Sequence, residues 1–76
     1  MSRLKPHAVV AKNICRLRHD KKWTQEKLCD ILQIDRRSLQ RIESGQWNMT
    51  IDYLERFKIA FKCSWSDLIN GLNDPS

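Results

Sequence analysis

The stretch "IDRRSLQRIESGQ", residues 34–46, decides how the chain is interpreted. Leu39 and Ile42 are three positions apart and therefore share one face of a helix. Asp35 is a residue type that caps helix N-termini, and Gly45 is suited to a left-handed stop. The stretch predicts a short helix that buries two apolar side chains and leaves three arginines on the surface.

Those arginines and one glutamine are spaced so that they could form one surface that contacts the edges of DNA bases. Arg37, Gln40 and Arg41 have i, i+3, i+4 spacing and share a face, while Arg36 stands at the helix start. Arg can donate two hydrogen bonds to guanine O6 and N7, and Gln can bond adenine N6 and N7. The alternative is a solvated face whose arginines pair with the two acidic residues of the stretch.

Helical periodicity extends through the whole chain. The chain has two Gly and two Pro, and its apolar residues recur at helical spacing. This predicts an all-α, compact five-helix bundle and a single domain over residues 1–76, with a basic arm at 1–6 and a tail at 70–76. The first helix is predicted over about residues 7–19. The four later helices are predicted to follow the caps Thr24, Asp35, Thr50 and Ser64. The predicted inward side chains include Val10, Ile14, Leu17, Leu28, Ile31, Leu32, Leu39, Ile42, Ile51, Leu54, Phe57 and Phe61. The fifth helix carries the apolar residues Trp65, Leu68 and Ile69.

The charge balance favours a polyanionic partner. Fourteen Lys and Arg against nine Asp and Glu give a net charge of +5, and residues 1–22 carry much of the excess. A membrane-binding first helix would need Val10, Ile14 and Leu17 to face lipid, and we assign them to the core instead. No apolar run approaches the ~18 residues of a membrane span, so we expect a cytoplasmic protein.

The sequence contains no pattern typical of an enzyme or a metal site. Cys15, Cys29 and Cys63 lack C-x-x-C spacing, and His7 and His19 do not complete a zinc set. There is no Ser–His–Asp frame, carboxylate pair or phosphate loop. We expect no catalytic activity, no cofactor and no metal, with the cysteines serving as small packing residues.

Four motifs resemble the helix-turn-helix domain of phage repressor and Cro proteins, also called the Xre family. They are "IxxLR" at 14–18, "WTQEKL" at 23–28, "RRSLQRIESG" at 36–45 and "TIDYLERFKIAFKCSWSDLI" at 50–69. The resemblance implies a helix-turn-helix formed by the second and third helices. It also implies base contacts from Arg36, Arg37, Gln40 and Arg41, a phosphate contact from Gln25, and a buried structural ion pair between Arg18 and Glu43.

Two departures from the family pattern affect the loops. Gln33 replaces the usual Gly before the turn, where a left-handed backbone is expected, and Met49 replaces a usual Pro. The loop "SGQWNM" lacks the Lys and Arg that relatives often direct at phosphates. Backbone contacts to DNA are therefore expected from Gln25, Ser44 and Gln46.

A dimer interface is expected in the C-terminal half. Ile59 lies where the family often has Lys or Arg, and with Trp65, Ile69 and Leu72 it can form an apolar patch that pairs two copies. Burial of Trp65 within one chain is the alternative.

The expected function is a sequence-specific transcriptional regulator that binds a palindromic operator in double-stranded DNA as a homodimer. Small stand-alone domains of this kind resemble Cro-like repressors and restriction–modification controllers. An antitoxin that neutralises a toxin and regulates its own operator is one alternative. A helical adaptor that binds only proteins is another.

Overall fold

A computed structural model describes residues 6–47 and 49–71, and within these ranges all regular structure is helical. The helices are α1 (Pro6–Asp20), α2 (Gln25–Leu32), α3 (Arg36–Glu43), α4 (Ile51–Phe61) and α5 (Trp65–Ile69). The predicted all-α fold with five helices is confirmed. Residues 1–5 of the predicted arm at 1–6 and residues 72–76 of the predicted tail, including Leu72, lie outside the described residues. Pro6, the last residue of the predicted arm, is the first residue of α1. No helix in the described ranges has both the length and the apolar character needed to cross a bilayer.

Four helices begin at the caps that the sequence predicts. In each case a side-chain oxygen accepts a hydrogen bond from the backbone N–H three residues later, which satisfies one of the helix's unpaired donors. At Ser64 the Asp67 carboxylate also accepts the backbone N–H of Ser64, which completes a capping box. The four caps are Thr24, Asp35, Thr50 and Ser64.

The core lies between α1 and the other helices. α1 packs against α3, α4 and α5, while α2 packs against α3 and α4. The side chains that are almost completely buried are Ile14, Leu28, Leu39, Ile42, Phe57, Phe61 and Leu68. Six of the seven were predicted to face inward, and Leu68 was expected only as one of the apolar residues of the fifth helix. Each helix contributes at least one of these buried side chains.

Two predicted core residues are exposed. Ile31 is 39% exposed because Leu28, Cys29 and Leu32 form the inward face of α2, and Ile31 lies about 100° away from the centre of that face. Ile51 is 73% exposed because it lies about 120° around α4 from the buried Phe57. In both cases an apolar residue near the core face was assigned to it wrongly.

The connection between α2 and α3 takes only residues 33–35, so the two helices cannot lie antiparallel. Gln33 adopts the left-handed conformation expected at this position, with φ of 57°. The backbone N–H groups of Gln33 and Ile34 both donate to the carbonyl of Cys29. The guanidinium of Arg56 donates to the carbonyl of Leu32, a group that α2 itself leaves unpaired.

Replacing Gln33 with Gly should stabilise the domain by about 1 kcal/mol, because Gly adopts positive φ without the steric cost that a Cβ imposes. The free energy of unfolding in urea measures the effect. Lys27→Gly, at an exposed position inside α2, is the matched control and should lose about 1 kcal/mol. Destabilisation by Gln33→Gly would contradict this account of the turn.

Candidate nucleic-acid interface

The solvent side of α3 is cationic and polar. Leu39 and Ile42 are 0% and 1% exposed and attach the helix to the core. On the opposite side Arg37, Gln40 and Arg41 are all exposed, in keeping with their shared helical face. Arg36, at the first position of α3, is exposed too. The structure therefore brings the four residues predicted to contact bases to one helix and leaves all four accessible.

Among the residues that the structure describes, the arginines of this surface form no ion pairs. Within residues 6–47 and 49–71, the one ion pair joins Arg18 to Glu43. No carboxylate oxygen in those ranges comes within the 4.0 Å limit of a salt bridge to Arg36, Arg37 or Arg41. The alternative interpretation, in which these arginines pair with the nearby acidic residues, is therefore not the arrangement found. Their donors remain available for an external acceptor.

Glu43, at the last position of α3, holds this helix against α1 and α2. Its carboxylate accepts Arg18 Nε on Oε2 at 2.8 Å, Arg18 Nη2 on Oε1 at 3.2 Å, and Gln25 Nε2 on Oε1 at 3.1 Å. The Arg18 and Glu43 side chains are only 13% and 7% exposed. A two-pronged guanidinium contact of this kind fixes both distance and orientation. The C-terminal end of α3 is thereby fixed by side chains of two other helices.

Arg18 also binds the loop between α1 and α2. Its Nη1 donates to the carbonyl of Trp23 at 2.9 Å, and its Nη2 lies 3.0 Å from His19 Nε2. The Trp23 ring stacks on Phe61 with ring centroids 5.8 Å apart. The contact to the Trp23 carbonyl was not predicted, because a backbone acceptor has no signature in the sequence.

Cys15 lies on the same side of α1. Its Sγ is 3.7 Å from the carbonyl oxygen of Glu43, to which the thiol donates. Burial, reinforced by the negative charge of Glu43, raises the pKa of the Cys15 thiol to about 11. The neutral thiol is therefore the stable form at neutral pH, which disfavours nucleophilic chemistry. Among the described residues no group of three or more His, Cys, Asp or Glu side chains is arranged to hold a metal ion.

The end of α3 packs closely on α1. Gly45 has φ of 78°, and a Cβ at this position would lie 3.2 Å from the Cα of Ala8. A side chain larger than hydrogen is therefore disfavoured both by the backbone conformation and by the available space. The close approach brings the end of α3 against the backbone of α1.

The three residues predicted to contact phosphate differ in their exposure and in the hydrogen bonds that they already make. Gln25 is half-buried and already donates to Glu43. Ser44 is exposed, with its hydroxyl donating to the carbonyl of Arg41 at 3.0 Å. Gln46 is exposed in the following loop. All three lie around α3, two of them just after its C-terminal end and Gln25 beside Glu43.

An aromatic contact anchors the loop after α3. Trp47 packs on Tyr53 with ring centroids 5.0 Å apart, and the Arg56 guanidinium lies 5.1 Å from the Tyr53 ring centroid. Met49 packs against the core. These contacts restrain the loop at Met49, the position where proteins of the resembled family usually have Pro. The sequence signal for this anchor was the tryptophan in "SGQWNM", which was not assigned a role.

The residues predicted to form a dimer interface are exposed where the structure describes them. Ile59 is 67% exposed, Trp65 38% and Ile69 36%, whereas Leu72 lies outside the described residues. Ile31, 39% exposed, lines a hollow of about 240 Å³ together with Ile59. Trp65 is thus only partly buried by its own chain.

Comparison with known proteins agrees with this geometry. The family described as the Cro/C1-type HTH DNA-binding domain matches residues 13–71. No curated protein matches the chain significantly.

Three similar solved structures belong to regulators. A hypothetical transcription factor, NHTF, from Neisseria is 28% identical with a TM-score of 0.78, over 86% of this chain and 75% of that one. The clp gene regulator ClgR from C. glutamicum is 18% identical with a TM-score of 0.83, over 90% and 87%, and at that identity shows the fold alone. The restriction-modification controller protein C.Esp1396I is 28% identical with a TM-score of 0.74, over 83% and 82%.

Glu43→Ala should lower the free energy of unfolding by about 3–5 kcal/mol, because it leaves the guanidinium of Arg18 enclosed without its carboxylate. Replacing both partners, Arg18→Met with Glu43→Leu, should cost less than Glu43→Ala, since no unpaired charge remains. Urea unfolding measures both variants. Glu55→Ala, which removes an exposed acid from α4, is the control and should change stability by at most about 0.5 kcal/mol. Wild-type stability in Glu43→Ala would contradict the structural role of the pair.

Proposed function

The chain belongs to the Cro/C1-type helix-turn-helix DNA-binding family, and we propose that it is a sequence-specific transcriptional regulator that binds an inverted-repeat operator as a homodimer. The observation that carries this proposal is the solvent face of α3. It presents exposed Arg and Gln side chains without ion-pair partners in the described ranges, on a helix fixed from behind. Such a face matches the donor and acceptor pattern of the major groove.

In this proposal α3 enters the major groove. Its N-terminal residues approach the bases most closely, which gives Arg36 and Arg37 the deepest positions. Gln40 and Arg41 extend the same surface by one turn. The arginines pair with guanine O6 and N7, and Gln40 with adenine N6 and N7. These contacts specify sequence, whereas affinity comes largely from phosphates.

Phosphate contacts come from the rim of α3. Gln25 is held by Glu43 through one amide hydrogen, and its second amide hydrogen is available to a phosphate oxygen. Ser44 and Gln46 are exposed immediately after α3. The loop they begin has no Lys or Arg between residues 44 and 50. Neutral hydrogen-bond donors and backbone N–H groups therefore position the duplex here, and the excess cationic charge of the chain supplies the general attraction.

The dimer forms through the C-terminal half, with Ile59, Trp65, Ile69 and Leu72 in the interface. The exposure of Ile59, Trp65 and Ile69 supports this assignment, because exposed apolar side chains gain most from contact with another apolar surface. Two copies related by a two-fold axis would place their α3 helices about 34 Å apart, one turn of duplex, on an inverted repeat. The likeness to a restriction-modification controller protein at 28% identity supports a regulatory role.

Arg37→Ala and Arg41→Ala should each lose about 1–3 kcal/mol of binding free energy, confined to one base position of the operator. Gel shifts with the DNA upstream of the coding sequence, repeated over a salt series, measure this loss, and affinity should fall steeply as salt rises. Lys62→Gln removes one exposed positive charge at the far end of α4 and is the control, for which the base preference should not change. An equal loss for every sequence would make these arginines phosphate contacts instead.

Ile59→Asp should convert the dimer into a monomer and weaken operator binding, because the interface would bury an unpaired carboxylate. Sedimentation velocity at tens of micromolar protein measures the change. Ile51→Asp, at the opposite end of α4, is equally apolar and exposed in the wild type and should leave the dimer intact. A wild-type protein that sediments as a monomer at that concentration would contradict the dimer and favour another protein, such as a toxin, as the partner of this patch.

A further inference from the structure

Asp35 occupies the leading end of α3, directly before Arg36, and is exposed. Its Oδ2 accepts the backbone N–H of Ser38 at 3.3 Å, and its Oδ1 accepts the Ser38 hydroxyl at 2.5 Å. Because both bonds join it to one residue, the carboxylate is held in a single orientation at the end of the helix. The hydrogen bond from the Ser38 hydroxyl lowers the pKa of Asp35, so the group is ionised at neutral pH.

This carboxylate can only accept hydrogen bonds, and among the described residues it has no salt-bridge partner, although the positive charge of Arg37 acts on it at longer range and also lowers its pKa. An ionised carboxylate has about four lone-pair sites, of which Ser38 uses two. In the part of the chain that the structure describes, no Lys or Arg nitrogen comes within the 4.0 Å limit of a salt bridge to Asp35. If α3 lies in the major groove as proposed, the ionised carboxylate of Asp35 therefore approaches the DNA beside the arginines. That approach is unfavourable unless the carboxylate finds a donor, because an enclosed charge without a partner is costly.

The base edges of the major groove differ in what they offer such a group. Cytosine presents the N4 amino donor and no acceptor, so it matches a carboxylate. Adenine presents a donor next to the N7 acceptor. Guanine and thymine present acceptors only, which repel a carboxylate. An acceptor-only group at the leading end of α3 thus ranks cytosine first and disfavours guanine and thymine.

We propose that Asp35 is a specificity-determining residue that selects a cytosine in each half-site, beside the bases contacted by the arginines of α3. It acts by accepting a hydrogen bond from the N4 amine and by excluding bases that present only acceptors. The inference rests on the proposed function, since it requires α3 to lie in the major groove. It assigns to Asp35 a second role besides capping the helix.

The experiment compares wild type, Asp35→Asn and Asp30→Asn by binding-site selection from a random duplex library. Asn caps helices as well as Asp does, so Asp35→Asn should keep the fold, and unchanged melting verifies this. Wild type should enrich one cytosine in each half-site. Asp35→Asn should lose that enrichment and keep the other selected positions. Asp30→Asn removes an exposed carboxylate from α2 and should select the wild-type motif.

Fluorescence anisotropy then measures affinity for the selected operator and for a version in which thymine replaces that cytosine. Wild type should discriminate by about tenfold. Asp35→Asn should discriminate hardly at all, chiefly because it binds the thymine version more tightly than wild type does. A residue that only caps the helix would not produce this gain in affinity.

Two results would overturn the inference and leave the proposed function standing: an unchanged motif in Asp35→Asn, or an equal loss of affinity for every sequence. Either would make Asp35 a cap alone. Failure of the wild type to enrich any sequence would refute the proposed function, and the inference with it.

Discussion

The carboxylate of Glu43 is the point on which the arrangement of the helices depends. It receives two hydrogen bonds from Arg18 on α1 and one from Gln25 on α2, and it is itself the last residue of α3. A largely enclosed charge is costly unless it is paired, so the native arrangement of the helices must bring these three donors to their acceptor. A buried pair of this kind adds little net stability, but the loss of one partner is costly.

This constraint divides α3 into two ends with different roles. The C-terminal end is enclosed: Glu43 is paired, and Gly45 brings the chain against the backbone of Ala8. The N-terminal end is open, with Asp35 and Arg36 exposed at its tip. A helix held firmly at one end presents the other in a fixed orientation, which a surface that discriminates between base edges requires. The enclosed C-terminal end thus fixes an eight-residue helix whose exposed side carries the proposed base-contacting surface.

Much of the fold could be predicted from the sequence, because the signals are local. Each cap lies three residues from the N–H that it accepts, and the pair Leu39 and Ile42 defines a buried face by spacing alone. The errors at Ile31 and Ile51 have one cause. Periodicity identifies apolar residues near a face, but the width of the buried stripe is set by the helices that pack against it. The candidate base-contacting set also follows from spacing, although its contacts to DNA remain a prediction.

The sequence by itself determined the excess of positive charge, which follows from composition alone. It also determined the starts of four helices and the presence of Arg and Gln on the face of α3 opposite Leu39, since these depend on neighbours within a few positions. The pairing of Arg18 with Glu43, 25 positions apart, came only through the family resemblance. The tertiary structure alone decided that Arg18 also holds the Trp23 carbonyl and that Arg56 holds the carbonyl of Leu32. Backbone acceptors are identical at every residue, so only the three-dimensional packing selects which of them a guanidinium reaches.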